Sequence, residues 1–226
     1  MNRIRDVKGI FMSISSKTII LADGTFPENE IPLDYLRNAE RIICCDGSAD
    51  HLVKAGFIPY AIVGDLDSVS KNVAEEYSDR LFRDSDQETN DLTKAVKWCV
   101  RNNYKDLVIL GATGKREDHT IGNISLLIEY AAEVEVIMVT DTGIIRPFLK
   151  SCTFSSNPGQ QVSVFSINPE TEITSGGLVY PLVRKKLRNW WEATLNEAKG
   201  TRIDLEFEGG ALIVFLQFDP LLPLIE

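Results

Sequence analysis

A series of short apolar runs, each stopped by an aspartate or a glycine, constrains this chain more than any other feature. Lys17-Thr18-Ile19-Ile20-Leu21-Ala22 ends at Asp23-Gly24, Arg41-Ile42-Ile43-Cys44-Cys45 at Asp46-Gly47, and Ala61-Ile62-Val63 at Gly64-Asp65. Leu107-Val108-Ile109-Leu110 runs into Gly111, and Glu135 to Thr140 into Asp141. Runs of this length, β-branched and closed by turn formers, read as buried strands. Helices fit between them: Ile31 to Glu40 with Pro32 near its start, and Asp50 to Ala55 closed by Gly56. A third carries Leu92, Ala95, Val96, Cys99 and Val100 on one apolar face, and the apolar positions of a fourth include Ile121, Ile124, Leu127 and Ile128. Strands alternating with helices predict a parallel, Rossmann-like α/β sheet with right-handed crossovers.

What ends the strands is chemically informative. A parallel sheet lines Asp23, Asp46 and Asp65 along its carboxyl edge, where ligands of open α/β sheets bind. Asp65 and Asp67 stand one residue apart, and such carboxylates repel unless a cation sits between them; oxygen donors without histidine or cysteine suit Mg²⁺. The plainer alternative makes Asp65 a turn residue and Asp67 or Ser68 the cap of a helix starting near Val69. A further acidic cluster, Asp84-Ser85-Asp86-Gln87-Glu88-Thr89-Asn90-Asp91, follows a short strand around Arg80 to Arg83 and opens the third helix, with Lys94 on the same face as Asp91. Strand-end aspartates in series with this cluster favour a cation-binding rim. Gly111-Ala112-Thr113-Gly114-Lys115-Arg116-Glu117-Asp118-His119 is a glycine-rich, basic loop feeding a helix, which suits phosphate, although it lacks Walker A spacing.

After about residue 150 the pattern changes to period two. Ile203, Leu205 and Phe207 alternate with charged residues, and Gly209-Gly210 reads as a hairpin turn into Ala211 to Phe218. Gln161 to Ile167 and Gly177 to Tyr180 add strands, giving a small antiparallel sandwich. We therefore expect a tail at residues 1–16, an α/β domain at 17–148 and a β-sandwich domain at 149–226. A net charge of −9 argues against nucleic acid and against an anionic membrane surface. Cys44, Cys45, Cys99 and Cys152 form no C-x-x-C pair and read as core residues of a reducing compartment. Without a transmembrane run or a signal-peptide pattern, a cytoplasmic protein is expected.

From Thr18 to Phe218 the chain resembles the thiamine pyrophosphokinases. The resemblance is carried by Cys45-Asp46-Gly47-Ser48-Ala49-Asp50, Gly64-Asp65-Leu66-Asp67-Ser68, Asp86-Gln87-Glu88-Thr89-Asn90-Asp91 with Lys94, and Gly114-Lys115-Arg116-Glu117-Asp118-His119. Gly177-Leu178-Val179-Tyr180-Pro181-Leu182 and Thr194-Leu195-Asn196-Glu197 resemble its substrate segments. The resemblance implies an ATP-binding α/β domain, a thiamine-binding β domain, and a homodimer with active sites between subunits. It implies Mg²⁺-dependent pyrophosphoryl transfer from ATP to the hydroxyethyl oxygen of thiamine, releasing AMP.

By the same resemblance Asp65, Asp67 and Asp91 are the candidate metal ligands. Asp46 and Asp118 are further ligands or proton acceptors, with Asp46 also near thiamine. Thr113, Lys115, Arg116, Asn123 and Lys94 surround ATP, while His119 contacts phosphate or fixes the loop. Tyr180, Leu195 and Asn196 are the thiamine candidates, with Tyr180 stacking on the cationic rings or lying in the core. Ser48 and Lys115 stand where the family commonly has glycine, Leu195 where it commonly has serine, and Trp190-Trp191 adds bulk. Those departures leave room for a related acceptor alcohol such as a hydroxymethylpterin; a nucleotide-binding sensor without catalysis is the other alternative.

Overall fold

The computed structural model describes residues 18–218 and divides at Asp141 and Thr142 into two compact units. The expected tail, residues 1–16, lies outside the described residues.

In the first unit the strands are β1 (Thr18–Leu21), β2 (Arg41–Cys45), β3 (Ala61–Gly64), β4 (Leu81–Arg83), β5 (Asp106–Leu110) and β6 (Glu135–Val139). The helices are α1 (Glu30–Arg37), α2 (Ser48–Lys54), α3 (Lys71–Glu76), α4 (Asp91–Arg101) and α5 (Glu117–Tyr130). All the strands pair in parallel, in the order β6-β5-β1-β2-β3-β4. The order reverses between β1 and β5, which makes their carboxyl ends the topological switch point of the sheet. β1 and β3 are buried from end to end, and β2 and β5 beyond their first residue, which is why they read as unbroken apolar runs. The buried thiols of Cys44 and Cys99 are pushed up to about 12 by burial, as inert core residues should be.

Local chemistry sets the helix starts. Asn29, Ser70 and Asn90 cap α1, α3 and α4, each accepting a first-turn amide. The helix-cap half of the alternative for the acidic pair is thereby corrected, since α3 starts at Lys71 and Ser70 rather than Asp67 or Ser68 is its cap; the turn half holds, with Asp65 accepting the Asp67 amide at 3.3 Å. The apolar positions of α5 are not equally covered. Its buried residues are Leu127 and Tyr130, while Ile121 is 55% exposed. The helix is apolar around most of its girth, so periodicity alone does not choose the face it buries.

The second unit contains β7 (Gly143–Phe148), β8 (Cys152–Ser155), β9 (Gln161–Ser166), β10 (Glu172–Gly176), β11 (Lys185–Lys186), β12 (Asn196–Glu197), β13 (Arg202–Phe207) and β14 (Leu212–Gln217). They make two antiparallel layers, β12-β9-β14-β7 and β11-β10-β13-β8. Val162, Val164, Leu212 and Val214 from one layer and Ile173, Ile203 and Leu205 from the other share one buried core. Two strand expectations are corrected here. Gly209-Gly210 joins β13 to β14 across the layers, because β13 pairs with β10 and β8 while β14 pairs with β7 and β9. Gly177 to Tyr180 is a loop held by one bridge, Leu178 to Ala198; the strand is β10, just before it.

The corner depends on Gly210, whose φ is 76° and where an added Cβ would stand 2.3 Å from Thr171 Oγ1. Gly210→Ala should cost at least about 1–2 kcal/mol from the left-handed backbone alone. Denaturant unfolding should show this as a lower midpoint at unchanged slope.

Candidate active site

The carboxylates of Asp46, Asp65 and Asp67 converge at the carboxyl edge of β2 and β3, each offering an oxygen within 4.8 Å of the others. Strand pairing brings them together: Cys45 lies opposite Val63, so the residues after β2 and within the β3 turn become neighbours. Asp46 is 3% exposed and has a φ of 44°, a backbone region that aspartate tolerates better than most residues. It accepts the amides of Leu66 at 3.1 Å and Ser68 at 3.2 Å, folding the Asp65-Leu66-Asp67 turn around itself. Gly64 makes this possible, because a Cβ there would come within 2.9 Å of the Asp46 Cβ. Leu66 is also left-handed, with φ 65°, a strained position for a branched side chain lying between the two outer carboxylates.

Burial, and then the Asp65 carboxylate hydrogen-bonded to it, push Asp46 up to about 6. Asp65 moves in the opposite direction, below its ordinary value, because it accepts that hydrogen bond. The two behave as one carboxylic acid–carboxylate couple. Asp91 stands apart from this trio, at the start of α4, in an ion pair with Lys94 at 2.9 Å. Lys94 is 3% exposed, and although burial opposes its charge, the Asp91 hydrogen bond and nearby Asp65 and Asp84 raise its pKa. The structure thus places Lys94 among carboxylates as their buried counter-ion.

The glycine loop lies at the switch point, where β1 and β5 are neighbours. Gly24 N–H donates to the Gly111 carbonyl at 2.6 Å and Thr25 N–H to the Thr113 carbonyl at 2.8 Å. Lys115 reaches Asp23 at 3.0 Å, and His51 Nε2 stands 3.7 Å from the same carboxylate. Arg116 grips Asp118 through two bonds, of 3.0 and 2.6 Å, holding that exposed carboxyl down to about 2. His119 is exposed, and its amide donates to Asp118. Asn123 donates to the Ala112 carbonyl at 2.9 Å and accepts from Asn90 at 3.1 Å. Sequence reasoning placed Asp23 in the strand-end series and Asn90 in the acidic cluster at the start of α4; only the pairing of distant loops shows what they touch.

In the second unit an open hollow of about 510 Å³ is lined by Tyr180, Pro181, Leu182, Val183, Leu195 and Asn196 among others. Tyr180 is 67% and Leu195 77% exposed, so Tyr180 is not a core residue. Asn196 is buried, and its amide is spent on the Tyr180 backbone, donating to the carbonyl at 2.7 Å and accepting the N–H at 3.1 Å. It shapes the hollow by holding Tyr180.

Fold and site together define an α/β protein with an acidic rim and a glycine loop at its ligand edge, coupled in one chain to a β-sandwich. The family model described as thiamin pyrophosphokinase, catalytic domain, matches residues 33–139. The model described as thiamin pyrophosphokinase, substrate-binding domain, matches residues 143–215. A thiamin pyrophosphokinase 1 of Caenorhabditis elegans is 28% identical over 109 residues, 44% of each chain, so the match spans less than half of that relative. A thiamine pyrophosphokinase 2 of rice, Oryza sativa subsp. japonica, is 28% identical over 182 residues, 67% of this chain and 68% of its own. The solved structure of thiamin pyrophosphokinase from Candida albicans shares the fold, with a TM-score of 0.75, 20% identity and 90% of both chains covered. The chain belongs to the thiamin pyrophosphokinase family. Nothing in these likenesses favours a pterin kinase or a non-catalytic sensor. Among the described residues no helix is long and apolar enough to cross a membrane.

The Asp46–Asp65 couple generates a pH prediction for metal-free protein. A raised folded-state value means stability present below 3.8 and lost as pH rises through about 6. Asp65, whose value is lowered, is already ionised across that window and adds no slope there. Relative to Asp46→Asn, which keeps an acceptor but cannot titrate, the wild type should lose thermal stability between pH 4 and 7 in chelator. A pH-independent difference in melting temperature would refute the shared proton.

Proposed function

We propose that this chain transfers the pyrophosphoryl group of ATP to the hydroxyethyl oxygen of thiamine, giving thiamine diphosphate and AMP. The observation that carries the reading is the convergence of Asp46, Asp65 and Asp67 on the strand edge that also bears the switch-point glycine loop. The thiamine oxygen forms a bond to the β-phosphorus while the bond from that phosphorus to the α,β-bridging oxygen breaks; AMP leaves and the hydroxyl proton passes to a base.

Three clustered carboxylates form an all-oxygen donor set that fits a hard divalent cation. In this reading Asp65 and Asp67 hold Mg²⁺, Asp91 completes the rim from α4, and Asp46 is left to take the proton. The ion would neutralise polyphosphate charge. Lys94 pairs with Asp91 at 2.9 Å and holds it in place. Thr113, Lys115 and Arg116 meet the phosphates, with His119 beside them and Asn123 acting through the loop. Asp118 orients Arg116, and at about 2 it is the poorer proton acceptor; Asp46, raised to about 6, is the better base. Tyr180 and Leu195 receive thiamine in the hollow that Asn196 shapes. A homodimer with its active site between subunits and a cytoplasmic location complete the proposal.

AMP release from ATP and Mg²⁺, measured with and without thiamine, tests the reaction directly; release that ignores thiamine would refute it. Asp65→Asn and Asp67→Asn should each lower turnover by at least about a hundredfold. Both should melt near wild type, since neither residue caps a helix. Near-normal turnover in both would remove the rim from catalysis.

Leu195, highly exposed on the hollow, gives a second test. Leu195→Ser should lower the thiamine KM more than the ATP KM by restoring a polar contact. Equal effects, or none, would place thiamine elsewhere.

A further inference from the structure

Three successive carbonyls of the glycine loop are all engaged from the protein side. Gly111 accepts from Gly24 N–H at 2.6 Å, Ala112 from Asn123 Nδ2 at 2.9 Å, and Thr113 from Thr25 N–H at 2.8 Å. None of these peptides is cis, so each N–H points opposite to the carbonyl it shares a plane with. The N–H groups of Ala112, Thr113 and Gly114 therefore face away from those partners. Among the described residues none of the three has an acceptor. A row of backbone donors held open in this way is a site for anionic oxygens.

Two of the three carbonyls are held by the β1 loop, whose own closeness is enforced by glycine: a Cβ on Gly24 would meet the Gly111 oxygen at 2.3 Å and the Thr113 oxygen at 2.5 Å. The middle carbonyl is held by a single side chain, Asn123. The Asn123 amide is fixed in turn, because its Oδ1 accepts from Asn90 Nδ2 at 3.1 Å. Asn90 has a second duty, capping α4 by accepting the Thr93 amide at 2.9 Å. Its neighbour Asp91 is ion-paired to Lys94. A continuous chain of hydrogen bonds thus joins the start of α4 to the centre of the glycine loop.

The geometry points to Asn123, locked by Asn90, as a positioning residue that presents the loop amides to the phosphates of the nucleotide. This rests on the reading that the loop takes ATP. Asn123 acts through the Ala112 carbonyl, with both ends of its amide engaged by the protein. Asn90 sets its rotamer, so the loop and the α4 end of the acidic rim keep a fixed spacing.

The two residues can be separated experimentally because serine is also a good helix cap. Asn90→Ser keeps the α4 start and removes only the donor to Asn123; Asn123→Ala removes the clamp. ATP and thiamine KM values, ATP dissociation constants by calorimetry and melting temperatures are measured for wild type, both single variants and the double variant. Asn123→Ala should weaken ATP roughly fivefold, the scale of one net hydrogen bond, with the thiamine KM unchanged. Asn90→Ser should weaken ATP less, and should add nothing on top of Asn123→Ala, because both break one linkage. Equal changes for both substrates, additive effects, or unaltered ATP affinity in Asn123→Ala would each overturn the clamp. Should Asn123→Ala fail to fold, unaltered ATP affinity in Asn90→Ser overturns it alone. Weakened ATP binding in the variants, in a protein whose AMP release ignores thiamine, would support the clamp and sink the substrate reading; normal AMP release with unaltered ATP affinity would sink the clamp alone.

Discussion

The first unit depends on the parallel alignment of β1 with β2 and β5, and of β2 with β3. Parallel pairing sends every carboxyl end to one edge, so groups scattered along the chain meet there without a loop having to search for them. The cost is a set of backbones crowded at that edge. Gly24 against Gly111 and Thr113, and Gly64 against Asp46, relieve the crowding by lacking side chains. What remains is a rim of carboxylates beside a row of amides with no acceptor among the described residues, one suited to cations and the other to anions. A nucleotide polyphosphate with its counter-ion needs both.

The same edge is held under electrostatic tension. Asp46 is buried against Asp65 and carries a proton well above its ordinary range, Lys94 is buried among carboxylates, and Leu66 is left-handed between Asp65 and Asp67. None of this is what a sequence optimised for stability alone would choose. Nearby pairs are arranged differently: Arg116 with Asp118 and Lys115 with Asp23 are exposed, and exposed pairs are worth little and exchange readily. The buried pair is suited to fixed geometry, the exposed pairs to giving up a partner when a phosphate arrives.

Residue by residue, the legible part of the sequence was the part set by local chemistry. The apolar runs at Thr18, Arg41, Ala61 and Asp106 became strands because burial on both faces leaves no polar alternation to confuse the reading. Asp65 and Asp67 were visible as a pair because they are neighbours in the chain. Asp46 could be named from its strand end, but its contact with them exists only because β2 lies beside β3. Gly209-Gly210 announced a turn correctly and its type wrongly, since the same left-handed glycines serve a hairpin and a corner between layers. Asn196 stands in a segment that resembles the family's substrate segments, and its contact with the Tyr180 backbone is visible only in the structure.

By itself the sequence determined the alternation of strands and helices, the acidic strand ends, the glycine loop and the change to a β-sandwich, because period, turn chemistry and capping act over a few residues. Tertiary structure alone decided that β1 and β5 are neighbours, that Asn123 closes on the Ala112 carbonyl, that Lys94 faces inward, and which side of α5 is covered. Each of these depends on which elements share a sheet edge or a core, a choice made by summed burial across residues far apart in the chain and carried by no short stretch of it.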